Sequence, residues 1–97
     1  MAACSADATL LPDSFDIQQV VWAQRAVSEA LNSASRLEID GRQVKRTDAA
    51  AMQVLAVAAL EAQRRGVPFS LAPSPAITDA SSVLGLDTLL GLHAGRA

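Results

Sequence analysis

The sequence predicts an α/β fold: a single domain with a small mixed β-sheet and helices packed mainly on one face. Three observations carry this expectation. The chain has 97 residues, enough for one small core and too few for a second. Alternating stretches and helical stretches follow one another as strand, helix, strand, helix, strand, helix, and the helices are long enough to cross over between parallel strands. The hydrophobic fraction is 51%, with two Phe, one Trp and no Tyr, so the core must be built from Ala, Val, Leu and Ile. Such small side chains let short helices lie close against a sheet.

"ATLLP" offers a short strand from Ala8 to Leu11, stopped by Pro12, which cannot donate to a ladder. "DIQQVVWAQRAVSEAL" then reads as a helix from about Ile17 to Leu31. Asp16 can cap it, and Gln19 stands three residues on, the spacing of a capping box. Ile17, Val20, Val27, Ala30 and Leu31 recur at helical spacing and mark the face for burial. "RLEID", Arg36 to Asp40, alternates so that Leu37 and Ile39 share one face of a half-buried strand closed by Gly41.

Asp48 to Arg65 has no Pro or Gly, carries basic residues at its end and meets Gly66 just beyond, which together define a helix and its stop. "VPFSL", Val67 to Leu71, alternates again, with Pro68 confining it to an edge or a first residue. Ser74 and Pro75 open a helix that Gly85 ends, and Asp87 is placed to cap a last turn through Leu90. The expected organisation is a disordered start over 1–7, a domain over 8–92 and a loose tail over 93–97.

Charge and cysteine content exclude several classes. The formal net charge is −2 and no basic run is longer than two residues, so no electrostatic footprint for nucleic acid exists. Cys4 is the single cysteine, which fits a reducing compartment, and the expected location is cytoplasmic. No apolar stretch reaches the roughly 20 residues a membrane crossing needs, and "MAACSADATL" lacks the pattern of a signal peptide, so no direct membrane insertion is expected.

Catalytic chemistry finds few residues. A nucleophile needs a base and a group to orient that base, and the only His, His93, falls in the tail. One Cys and one His far apart give no metal-ligand spacing, and the isolated glycines form no phosphate cradle. Glu38 and Asp40 share one side of a strand, where solvent exposure is the plain explanation. No catalytic residue, no metal site and no cofactor is therefore expected, and the chain does not read as an enzyme.

What remains is "RTDAAAMQVL", residues 46 to 55, where a strand turns into a helix. Asp48 suits capping, because its carboxylate can accept from free amides in the first turn and sits at the positive end of the dipole. The functional alternative is a partner-binding surface made of Thr47, Asp48, Ala49, Ala50 and Met52, whose small side chains admit a close approach. Trp22 reads first as a cover for the core edge and second as a partner anchor. Arg64 and Arg65 read first as favourable charges at a helix end.

"DGRQV", then Asp48 at a helix start, "MQVLAVAALEAQRRGVPFSL" and "PSPAITDASSVLGLDTLLGL" together resemble the STAS domain, the fold of bacterial anti-sigma factor antagonists. The likeness covers about residues 8 to 92. It implies a non-catalytic protein–protein interaction module in bacterial signalling, antagonist-like or associated with chemotaxis, docking through the start of the second helix. The partner it implies is an anti-sigma factor, a switch kinase or a chemosensory protein. The alternative it implies is a small accessory subunit of a phospholipid ABC transporter, bound to the transporter's ATPase.

In that family the Asp is commonly followed by a phosphorylated Ser or Thr, a small residue and Gly. Here Asp48 matches the Asp, Ala49 the phosphoacceptor, Ala50 the small residue and Ala51 the Gly. The acceptor hydroxyl is absent, and Thr47 is the nearest substitute as a possible phosphosite. The N-terminal strand is also shorter than the family's usual strand or hairpin.

Overall fold

A computed structural model describes residues 8–33 and 36–92. The expectations for the start over 1–7, for Cys4, for the tail over 93–97 and for His93 lie outside the described residues.

Strand β1 (Thr9–Leu10) is followed by β2 (Ser14–Phe15), a 3₁₀ turn (Ile17–Gln19), α1 (Val20–Ser33), β3 (Leu37–Asp40), β4 (Arg46–Thr47) and α2 (Ala49–Arg65). Strand β5 (Phe69–Ala72), α3 (Pro75–Leu84) and α4 (Asp87–Leu90) complete the order. The main sheet runs β1-β3-β5, with Thr9 opposite Ile39 and Leu37 opposite Phe69. A second, two-stranded ladder joins β2 to β4, pairing Phe15 with Thr47.

The α/β class is as expected. Where the sequence suggested a mixed sheet, every pairing among the described residues is parallel, as crossover helices between successive strands require.

Leu37 and Ile39 of the central strand are buried with Leu11, Phe15, Met52, Leu55 and Ile77. Around them pack Ala23, Ala51, Ala58, Ala59 and Ala62, the small residues that bring the helices close to the sheet. Gly41, just past β3, is required by this closeness: a Cβ there would stand 2.5 Å from Ile77 Cδ1 and 3.3 Å from the Ala72 carbonyl.

Helix boundaries follow the punctuation in the sequence. Asp16 and Gln19 form the capping box, although the first turn it opens is 3₁₀ before α1 begins. Gly66 adopts a left-handed φ of 71° that ends α2, and its amide and that of Val67 both donate to the Ala62 carbonyl. Holding Val67 in this cap, with Pro68 next, delays β5 to Phe69, two residues later than expected.

Ser74 caps α3 by accepting from the Ile77 amide. Asp87 does not cap the last turn as expected: Leu86 holds that position, and the Asp87 carboxylate accepts the Ser81 hydroxyl at 2.8 Å. The solvent exposure expected for Asp40 is also corrected. It is nearly buried, and the Arg42 guanidinium donates to both its carboxylate oxygens at 3.0 and 3.1 Å.

Candidate functional site

Helices α1 and α2 lie side by side on the sheet and run in the same direction, because like ends are tied together. At their starts the Ile17 N–H donates to Asp48 Oδ2 at 3.0 Å. At their far ends Arg65 Nη1 donates to Asn32 Oδ1 at 3.1 Å. Between the two ties opens a groove of about 640 Å³, floored by Val20, Val27 and Leu31 from α1 and by Val54 and Ala58 from α2.

Val57 of α2, 62% exposed, lines it as well, and Ile17, Val21 and Leu60 of the same helices and the turn before them are also exposed, at 65%, 68% and 52%. The polar groups along the groove are the uncharged Gln24, Ser28 and Gln53 and, at its far end, the charged pair Glu61 and Arg65. Among the described residues no group of three or more His, Cys, Asp or Glu is placed to hold a metal.

Asp48 is the N-cap of α2, with Oδ1 accepting the Ala51 amide at 2.9 Å while Oδ2 accepts from Ile17. Its carboxylate thus joins two helix starts. Ala49 is exposed and Ala50 half-buried, and both line the groove at its mouth. Thr47 stands in β4, and its Oγ1 is buried without a protein hydrogen-bond partner.

Met52 is fully buried in the core, which corrects its expected place on the surface. It lies one residue past Ala51, on the side of α2 turned to the sheet, and a partner cannot touch it in this conformation. Ile17 is corrected in the opposite sense, since it was expected on the buried stripe of the first helix and is exposed.

Val21, Val57, Leu60 and Gln53 were missed as surface residues. Gln53 and Arg64 mark the outer side of α2, but the aliphatic residues between them carry no sign of the way they face, and Val57 reads the same as Val54. Trp22 is 46% exposed on the other side of α1, against Leu11 and Pro12 in a shallow cleft.

At the far end of the groove, Glu61 accepts from Arg64 and Arg65 and binds both. These hydrogen bonds, that from Arg64 foremost, hold its carboxyl far below the usual carboxylate range, at about 2.

A family model described as "Mlab, STAS domain" matches residues 11–91 of the chain. The chain belongs to the STAS domain family. Comparison with curated proteins and comparison with solved structures give no match. STAS domains are a family of protein-interaction and signalling modules. The matched segment spans every element from β2 to α4, with the groove and the Asp48 turn inside it. No helix of this STAS domain, among the described residues, is long and apolar enough to cross a membrane.

Proposed function

We propose that this STAS domain is a non-catalytic docking module that seats a partner protein in the α1–α2 groove, over Ala49 and Ala50 at its mouth. The observation that carries this reading is the groove itself. Its floor is apolar, it is held open by polar ties at both ends, and the exposed Val57 side chain lines it. Fixed geometry reduces the ordering a partner must impose when it binds.

Position 49 bears a methyl group, so no phosphate can be added there to break a complex by charge. Thr47 is no ready substitute, because its hydroxyl is shut inside β4. Contact without such a switch suits an accessory subunit held on the ATPase of a phospholipid ABC transporter. It suits less well a signalling role with an anti-sigma factor, switch kinase or chemosensory protein, where a complex must be released. We rank the transporter subunit first on that ground and place the module in the cytoplasm.

The test is capture of the tagged chain from its native cells, with bound proteins identified by mass spectrometry. Ala50→Arg and Val57→Asp should each lose the partner while the melting temperature stays within a few degrees of the parent. A partner retained by both variants overturns the groove as the docking site. A signalling protein in place of the ATPase reverses the ranking.

A further inference from the structure

We propose that the same face of α1 and α2 also packs against a second copy of the chain, antiparallel about a two-fold axis. The charges on this face are arranged for that partner. At the helix-start end stand the carboxylates of Asp16 and Asp48, both half-buried. At the other end Arg64 and Arg65 share the single carboxylate of Glu61, which leaves an excess of one positive charge.

Between these ends are the exposed side chains of Val21, Val57 and Leu60, with the exposed Arg25 one turn after Val21 on α1. Turning one copy end over end brings each basic end toward the other copy's acidic end, twice over, which is the self-complementarity a two-fold interface requires. Packing two copies in the same direction would set like charges together. Of the cations just before α2, Lys45 and Arg46, Arg46 turns aside to donate to Ser14 in the β2–β4 ladder.

Gln53, Val57, Leu60 and Arg64 follow one another at steps of four, three and four along the outer side of α2, the spacing that forms a seam between two helices. With the axis between Val57 and Leu60, each Val57 meets the second copy's Leu60. Gln53 then meets Arg64 of the second copy, where its amide oxygen can accept from the guanidinium.

The 17 residues of α2 make the face about 25 Å long. Two helices abreast then give on the order of 500 Å² a copy, at the lower limit of specific interfaces. The pair is accordingly weak and forms at high concentration. It covers the groove mouth, so self-association and docking of another protein exclude each other.

Sedimentation equilibrium of the purified full chain, from micromolar to millimolar concentration at low salt, tests the proposal apart from any partner. The average mass should approach twice that of the monomer at the upper end, and added salt should weaken the association several-fold. Val57→Asp should abolish it, and Arg64→Glu should weaken it at least tenfold. Both positions are exposed, and circular dichroism checks that each variant keeps its fold. A chain that stays monomeric to millimolar concentration overturns the proposal, as does a dimer that Val57→Asp leaves intact.

Discussion

Asp48 shows how a residue at a docking site can be occupied by structure. One carboxylate oxygen accepts the Ala51 amide and the other accepts Ile17 from 31 positions earlier in the chain, so both helix starts depend on one side chain. Loss of an N-cap costs about 1 kcal/mol, and a further neutral–charged backbone bond contributes about another 1 kcal/mol. Asp48→Ala should therefore lower the unfolding free energy by about 2 kcal/mol. Asp48→Ser keeps a capping oxygen but is too short to hold Ile17 as well, and should lose about half as much. Urea denaturation measures both, and amide exchange at Ile17 should quicken in the Ser variant while α2 stays protected. Equal losses in the two variants would show that the tie to Ile17 contributes nothing. The capping half of this role is legible from an Asp placed before an apolar run. The tie to Ile17 is not, because nothing local in either segment announces a contact between residues so far apart in the chain.

At the scale of elements, the turns and caps were the readable parts, since each uses a residue with a particular backbone or hydrogen-bonding ability. Asp16 with Gln19, Ser74 with Pro75, and Gly66 and Gly85 set the helix limits from the sequence. The two-residue strands β2 and β4 are too short for any period to show, although Phe15 in β2 is wholly buried. The faces of α2 were harder still, because Met52 and Val57 are both apolar and only packing against the sheet distinguishes them. Packing also explains Gly41, whose place at the end of β3 looked like a simple stop. A Cβ at Gly41 meets the end of the fully buried Ile77 side chain, which must shift within the core to make room, so Gly41→Ala should cost about 1–3 kcal/mol. Gly66→Ala is the useful comparison, since a Cβ there meets no atom within 4 Å and only the left-handed backbone resists it, at about 1 kcal/mol. Thermal unfolding of the two variants should separate steric from backbone cost. A harmless Gly41→Ala would mean that the Ile77 side chain turns aside at no cost.

Across the whole molecule, the two polar ties give the α1–α2 face a fixed width, and the Glu61 cluster lies beside the second of them. Arg65 serves both, donating to Glu61 and to Asn32, so the charge on Glu61 bears on how that end of the groove is held. Glu61 has a folded-state value of about 2 against an ordinary 4.5, which means that the folded chain binds its proton less readily than the unfolded chain. Its contribution to stability is thus fully present above pH 4.5, declines as the unfolded chain begins to take up the proton, and is gone once pH has fallen through about 2. The cluster is at the surface, so the contribution is small and added salt should reduce it further. Denaturation at a series of pH values should show the parent losing stability between pH 4.5 and 2 by more than Glu61→Gln does, with the two converging at the acid end. Carboxyl chemical shifts provide the direct reading, with a Glu61 midpoint near 2 that moves up in Arg64→Ala because that guanidinium is the larger cause. A midpoint near 4.5 in the parent would mean that the two arginines do not hold Glu61 in solution, and that the tie to Asn32 closes the groove end by itself.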